Sequence, residues 1–466
     1  MDSKHAPSPV TADRLMRLLA LTLIVSVMNA TMFNVALPRI SLEFSLSPSK
    51  ASWVITAYIV VYAIGTVTYG KLADRYSLRN LLTFGLPMLA FGSLIGLMAG
   101  AFWMLVLARV LQAMGASVVT AASMLIPVRY YPLAARGRAL GMTATGIALG
   151  TAAGPIISGI VTSVASWRLL FLLPLLALIA LPFFRRELDG AAGTKRPTDV
   201  WGGLLLGGSI AALLLALTNS SLMLLAAGLL LTALFGLRIR FAREPFIQLA
   251  LLGNTRFSFA LLITGLSSCA VFGIPFLVPL LLGNVNGLSP LHTGLAMLPA
   301  AVLSALLGRR GGTLADKYGI GVLFYTAALL FASGFVLLSW TAGSSPGLIA
   351  CFLIFGSVGQ TFTQIALSHT LSGTLTAEQT GVGMGLYSLV SFIAGAASTA
   401  LIGRTLDFGA SGRWLNPLHG GGAGLVYSNL FLALAALVSL TAILYAVFAA
   451  MSRRASRRAG AESPAG

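Results

Sequence analysis

Hydrophobic residues fill long stretches of this chain, and the polar residues gather in the short segments between them. The stretches approach the ~20 residues that an α-helix needs to cross the apolar core of a bilayer. They predict fourteen membrane spans, at 15–38, 51–73, 80–100, 103–127, 138–162, 167–184, 201–219, 221–241, 257–282, 290–308, 320–341, 347–370, 380–403 and 425–450. Only a tight turn at Asn219 and Ser220 separates the seventh and eighth spans, so twelve spans is the alternative.

The composition favours a membrane protein over a soluble one. The chain is 57% hydrophobic and 9% charged, against roughly 25% charged residues in a soluble domain. Its net charge of +18 does not predict nucleic-acid binding, because no basic patch interleaved with aromatic residues is present. Lys and Arg mark the cytoplasmic loops of membrane proteins instead.

The placement of the basic residues predicts the orientation. With the N-terminus inside, 24 Lys and Arg residues fall on the cytoplasmic side, five fall outside, and Arg109 lies within a span. This bias predicts that both termini are cytoplasmic. The hairpin of the seventh and eighth spans does not affect the orientation, because two crossings return the chain to the side on which it started.

One heptapeptide occurs twice and divides the chain into related halves. Residues 70–76 read GKLADRY and residues 312–318 read GTLADKY. Repeated halves built from membrane helices are typical of alternating-access transporters. We therefore expect an N-terminal six-helix bundle at 1–186, a linker and inserted hairpin at 187–256, a C-terminal six-helix bundle at 257–452 and a disordered cytoplasmic tail at 453–466.

The two loops predict a gate. Asp74, Arg75 and Asp316 lie where helices are expected to end, so each carboxylate can pair with an arginine or with the positive N-terminus of a helix. Such a latch would hold the cytoplasmic side shut and release it during transport. The alternative is that these are solvated loop charges, which only set the topology.

Two further motifs lie in the fourth and fifth spans. Arg109 is surrounded by apolar sequence, with Gln112 one turn later, and a charge at membrane depth usually faces a cavity or a partner. The alternative is an arginine that extends to the membrane surface. In the fifth span, Gly150 and Gly154 predict close helix packing, and Pro155 allows a bend. Ordinary packing between membrane helices is the alternative here.

Polar residues in other spans predict the lining of a central cavity, for which hydrogen bonds between helices are the alternative. These residues are Asn29, Asn34, Gln360, Gln364 and Tyr387. No acidic residue falls in the middle of a predicted span. The sequence also lacks a P-loop, a nucleophile elbow and metal-ligand spacing. It therefore predicts no enzyme activity, no cofactor and no metal.

Together these motifs resemble the major facilitator superfamily, in particular its fourteen-span drug:proton antiporters, and are most similar to Gram-positive tetracycline-efflux proteins. GKLADRY, the Arg109–Gln112 pair and the glycine run before Pro155 carry the resemblance, and the family associates that run with export. It implies two six-helix bundles plus an inserted two-helix hairpin. It also implies a monomer in the bacterial inner membrane that exports an amphipathic drug or metabolite in exchange for protons.

The departures from that pattern leave the coupling open. The positions of the efflux family's glutamates hold Ala30, Thr151–Ala152 and Ala394–Gly395, and Asn29 stands where related multidrug members have Asp. Ser77 replaces the usual glycine of the first loop. The alternatives are a uniporter or non-proton exchanger, and a membrane scaffold or sensor that does not transport.

Overall fold

The computed structural model describes residues 9–461 except 74, 132, 189–198, 243–244, 248, 377–378, 410–415, 417–421 and 423, and the regular elements of this part are helices. They are α1 (Pro9–Glu43), α2 (Pro48–Leu72), α3 (Leu78–Leu97), α4 (Phe102–Tyr130), α5 (Leu133–Val164), α6 (3₁₀ over Trp167–Ala180, then α-helical over Leu181–Glu187), α7 (Val200–Asn219), α8 (Leu222–Phe241), α9 (Leu249–Leu252), α10 (Thr255–Leu280, with a π-turn at Leu281–Val285), α11 (Pro290–Tyr318), α12 (Ile320–Trp340), α13 (Pro346–Ser372), α14 (Thr380–Phe408) and α15 (Leu425–Ala461). All but the short α9 are long and apolar enough to cross a membrane. The predicted all-α fold with fourteen candidate spans is confirmed.

Several helices extend beyond the predicted spans, and α1, α11 and α15 extend furthest. Helix α1 continues past Pro38 to Glu43, since a membrane helix tolerates the loss of one backbone donor. Helix α15 continues to Ala461, past the predicted end of the last span at residue 450. The segment is rich in Ala and Arg, which are strong helix formers.

Short polar residues begin and end the helices. The Ser47 side chain caps α2. Pro48 follows at the first helical position, which suits proline because the amide there has no partner in the helix. Ser77 caps α3 in the same way. Ser220 adopts a left-handed conformation (φ 51°) between α7 and α8, so the tight turn expected there is present.

The chain folds into two compact units. The first contains Met1–Phe246, Leu282–Leu298 and Thr399–Asp407, and the second contains Ile247–Leu281, Pro299–Ser398 and Phe408–Gly466. In the first unit α1 packs on α5, and α4 packs on α2 and α3. In the second unit α12 packs on α13 and α15, and the Phe324 ring of α12 lies 3.9 Å from the Tyr445 ring of α15.

The inserted hairpin of α7 and α8 belongs to the first unit, where α7 lies along α2. Near the start of α2 and the end of α7 the Trp53 indole donates to the Thr218 hydroxyl (3.1 Å). Near the end of α2, Lys71 Nζ donates to the Pro245 carbonyl (2.6 Å), just after α8. The hairpin is therefore attached to α2 at both ends.

A buried carboxylate fixes the end of the hairpin at which α7 begins and α8 ends. The Asp199 side chain is 2% exposed and pairs with Arg238 Nε at 3.1 Å. It also accepts from the backbone amides of Gly202 (3.0 Å) and Phe246 (3.3 Å). One side chain thus caps α7, ties it to α8 and holds the segment that leaves the hairpin.

Candidate functional site

Arg109 is the central residue of the candidate site in the first unit. Its side chain is fully buried in α4, and its nitrogens donate to oxygens of two other helices. Nε donates to the Val54 carbonyl of α2 at 3.0 Å. Nη1 donates to the carbonyl (3.2 Å) and to Oδ1 (3.4 Å) of Asn29 in α1.

Gln112 completes the hydrogen bonding on the same helix face. Its Oε1 accepts from Arg109 Nη1 at 3.0 Å, and its Nε2 donates to the Ser93 hydroxyl of α3 at 2.8 Å. Helix α3 comes this close because of Gly92, where a Cβ would lie 2.7 Å from the backbone nitrogen of Gln112. Arg109 and Gln112 together link four helices, α1 to α4.

Two aromatic rings cover the guanidinium. Its carbon lies 4.3 Å from the ring centre of Phe33 and 4.1 Å from that of Tyr58. A desolvated cation on an aromatic face gains roughly 2 kcal/mol. We call Asn29, Phe33, Tyr58, Arg109 and Gln112 the Arg109 cluster.

The Arg109 cluster has more donors than acceptors. Arg109 Nη2, Asn29 Nδ2 and the Tyr58 hydroxyl are buried without a hydrogen-bond partner among the described residues. A buried unpaired polar group costs about 1–3 kcal/mol. Every oxygen that Arg109 contacts belongs to a neutral amide. The structure thus brings Asn29, Arg109 and Gln112 together in a cationic, donor-rich cluster.

Asn34 lies apart from this cluster. It is five residues beyond Asn29 in α1 and 8% exposed. In the second unit, the Tyr387 hydroxyl of α14 donates to the Gln364 carbonyl of α13 at 3.4 Å. Gln364 is exposed and Gln360, one turn earlier, is half-buried. These three residues form a polar face on neighbouring helices of the second unit.

The glycines of α5 lie against α1. A Cβ at Gly150 would be 2.7 Å from the Ile24 carbonyl oxygen, and one at Gly154 would overlap the Thr31 hydroxyl. On the other side, a Cβ at Gly294 in α11 would be 2.7 Å from the Pro155 carbonyl oxygen. Small residues thus permit two close helix contacts around Gly154 and Pro155.

The two repeated loops differ in structure. Asp74 lies outside the described residues. Arg75 is exposed, with its guanidinium carbon 5.4 Å from the Tyr76 ring centre. The second copy stays helical to Tyr318, and Asp316 is exposed on that helix.

The residue after each copy accounts for one departure from the family pattern. Gly319 has a φ of 91°, which favours glycine, whereas Ser77 has a φ of −63° and caps α3. The chain therefore needs glycine only after the second copy.

Several residues of the site were not predicted from the sequence. Phe33 and Tyr58 looked like ordinary apolar-face residues, and nothing in their spacing connects them with Arg109. Asp407 was also missed. Its carboxylate accepts from the Ser49 amide at 3.0 Å, at the positive N-terminus of α2. One further contact, between the Thr56 and Thr399 hydroxyls (3.0 Å), joins α2 to the same segment within the first unit.

Comparison of the sequence with known proteins identifies the family of this chain. The family model described as Major Facilitator Superfamily matches residues 19–399. The tetracenomycin C resistance and export protein of Streptomyces glaucescens is 27% identical over 390 residues, covering 81% of this chain and 72% of that protein. The riboflavin transporter RibZ of Clostridioides difficile (strain 630) is 27% identical over 340 residues, covering 71% and 75%.

Solved structures show the same fold. The peptide transporter POT superposes with a TM-score of 0.68 at 16% identity, covering 95% of each chain. The nucleoside transporter NupG superposes with a TM-score of 0.67 at 11% identity, covering 93% of this chain and 99% of that one. With a family model that matches most of its length, this chain belongs to the major facilitator superfamily.

Proposed function

We propose that this membrane transporter exports amphipathic small molecules, as drugs or metabolites, in exchange for protons by alternating access. The likeness to a tetracenomycin C resistance and export protein supports export. A riboflavin transporter among the relatives supports an organic substrate.

The glycine contact between α5 and α1 is the observation that carries the proposal. The resemblance to exporters rests on this glycine run. Gly150 and Gly154 allow the two helices to touch along their backbones, while Pro155 lies against Gly294. Such close packing between membrane helices favours a carrier that does not leak.

The polar residues divide into three roles in this proposal. Asn34, Gln360, Gln364 and Tyr387 contact substrate. Arg109, oriented by Asn29 and Gln112, biases occupancy by substrate or proton. Asp74, Arg75 and Asp316 latch the cytoplasmic gate, and an Asp74→Asn variant with intact transport would rule out that latch.

A uniporter or an exchanger without protons is the second candidate. The carboxylates whose side chains the structure describes are Glu43, Glu187, Asp199, Asp316 and Asp407, and each lies at or near a helix end. A proton-coupled carrier commonly holds an acidic group at membrane depth. Their position at the helix ends favours this candidate.

Everted membrane vesicles separate the two candidates. Vesicles with an acidic interior and a pH-reporting dye receive tetracycline with magnesium, lipophilic cations and neutral drugs, one at a time. Proton release on adding a compound, absent from vesicles without the transporter and reduced by Arg109→Ala, establishes antiport and identifies a substrate class. Movement of a labelled compound down its gradient without proton release establishes uncoupled transport. If no compound gives either signal, the proposed export of amphipathic molecules is wrong.

A further inference from the structure

We infer that the Arg109 cluster is a binding site for a singly charged anionic group. The group is either the carboxylate of a transported molecule or a small free anion. In the first case the inference rests on the proposed function, because it specifies the substrate class at the same site. In the second case it holds whatever the protein transports.

The first argument is charge. The Arg109 guanidinium is always protonated, and its side chain is fully buried at membrane depth. Its oxygen partners are two backbone carbonyls and two side-chain amides. The described salt bridges involve other residues, at Arg168, Arg238 and Arg404. The cluster therefore has one positive charge that no described carboxylate balances, and buried charges are normally paired.

The second argument is the kind of hydrogen-bonding group left over. Arg109 Nη2 and Asn29 Nδ2 only donate, and neither has a partner among the described residues. The Tyr58 hydroxyl, also without one, donates as well. Three unpaired donors around one cation need an acceptor with several lone pairs, such as a carboxylate or a halide. A cation or a donor-only group cannot satisfy them.

The orientation of Asn29 supports this interpretation. Arg109 has no acceptor atom, so the Asn29 amide must present Oδ1 to Nη1, at 3.4 Å. Its Nδ2 is then necessarily the atom without a partner. Turning the amide over would set the donor Nδ2 against the guanidinium, which has no acceptor. The unpaired donor is thus imposed by the network.

The charge of the site also selects the charge of its ligand. A single negative charge balances Arg109, whereas a dianion such as sulfate would leave an excess charge in apolar surroundings. The rings of Phe33 and Tyr58 close the site, since both are almost fully buried. We expect the anion to enter after one of these rings has rotated.

Thermal unfolding of the purified transporter tests the inference. Tryptophan fluorescence is followed while sodium chloride or sodium benzoate replaces sodium sulfate, whose dianion does not suit the site, at constant sodium, with benzamide as the neutral counterpart of benzoate. We expect a saturable rise in Tm of about 2 °C or more, because a ligand bound only to the folded state stabilises it. A rise in Tm with chloride identifies a free-anion site. A rise in Tm with benzoate, but with neither chloride nor benzamide, identifies a carboxylate site.

Asn29→Asp is the matched variant. It places a carboxylate next to Arg109 with almost no change in shape, so the site contains its own anion. We expect a higher Tm than the wild type in sulfate and no saturable response to chloride or benzoate. Any remaining rise measures the general effect of salt. A wild-type response no larger than that of Asn29→Asp would overturn the anion site.

Tyr58→Phe provides a second test if the aspartate variant does not fold. It keeps the ring on Arg109 and removes one unpaired donor, so the half-saturating anion concentration should rise about fivefold. An unchanged value would contradict the inference. The outcome is separable from the proposed function: a Tm response without proton release in vesicles rejects antiport alone, whereas transport without a Tm response rejects the anion site alone.

Discussion

The guanidinium of Arg109 links its own helix to two others, since Nε contacts Val54 of α2 and Nη1 contacts Asn29 of α1 and Gln112 of α4. A lysine would keep the charge but has one nitrogen on a flexible stem, which cannot reach all three partners. We predict that Arg109→Lys lowers transport in everted vesicles at least about tenfold and lowers Tm.

The same substitution at an exposed residue serves as the control. Arg185, in the last turn of α6, is exposed, so Arg185→Lys should leave transport and Tm unchanged. Wild-type transport in Arg109→Lys, at equal protein in the membrane, would show that the geometry of the guanidinium is not needed.

Single residues also show what sequence reasoning can reach. Arg109, Gln112 and Asn29 are identifiable because polar side chains are rare and costly inside a span. Tyr58 and Phe33 are not, because aromatic residues are common in membrane helices and only the fold turns these two toward the guanidinium. The role of Ser77 likewise needs its backbone angle, which is an ordinary φ of −63°.

Among the helices, the contact of α1 with α5 depends on the missing side chain at Gly154. A methyl group there would overlap the Thr31 hydroxyl, whereas a methyl group at Gly141, in the same helix, would meet no atom within 4 Å. We predict opposite effects. Gly154→Ala destabilises by about 1–3 kcal/mol through overpacking, and Gly141→Ala stabilises by about 0.5–1 kcal/mol through helix propensity.

Thermal unfolding of both variants in the same detergent measures this difference. A Gly154→Ala protein that unfolds at the wild-type temperature would mean that α1 and α5 separate easily. The spacing of the glycines predicted a packing face, but the sequence did not identify α1 as the partner, because many spans present small residues.

The hairpin depends on Asp199 more than on its arginine partner. The carboxylate is buried and accepts from two backbone amides, whereas the Arg238 side chain is 44% exposed. We predict that Asp199→Ala costs roughly 2–3 kcal/mol by leaving buried donors unpaired. Arg238→Gln should cost less than about 1 kcal/mol, as exposed ion pairs do.

Hydrogen–deuterium exchange localises this effect. Peptides that contain Gly202 and Phe246 should exchange faster in Asp199→Ala and nearly as in the wild type in Arg238→Gln. Faster exchange in both variants to the same degree would show that the ion pair, rather than the backbone contacts, holds the hairpin.

For the molecule as a whole, the repeat predicted more symmetry than the structure has. The first heptapeptide leaves helix α2 after Leu72, whereas the second remains helical to Tyr318. The first unit combines Met1–Phe246 with Thr399–Asp407, which lies far away in the sequence. No local sequence pattern predicts contacts between such distant segments. The number of spans was predictable because it depends only on the length and polarity of each stretch.

The orientation of the fourteen spans is testable with single cysteines after Cys269 and Cys351 have been changed to serine. Basic residues favour the cytoplasmic side, so Lys50→Cys should react with an impermeant maleimide in intact cells. Tyr76→Cys, one span later and also exposed, should react only after permeabilisation. A buried position, Ala116→Cys, should react in neither case.

Three positions decide whether both hairpin helices cross the membrane. Asn219 ends α7, while Ser344 and Thr376 follow the hairpin on predicted opposite sides, and all three are exposed. With both helices crossing, Asn219→Cys and Ser344→Cys react in intact cells and Thr376→Cys does not. If only one helix crossed, Ser344 and Thr376 would exchange sides. If neither crossed, Asn219 alone would become protected, because two missing spans leave everything after them on its original side.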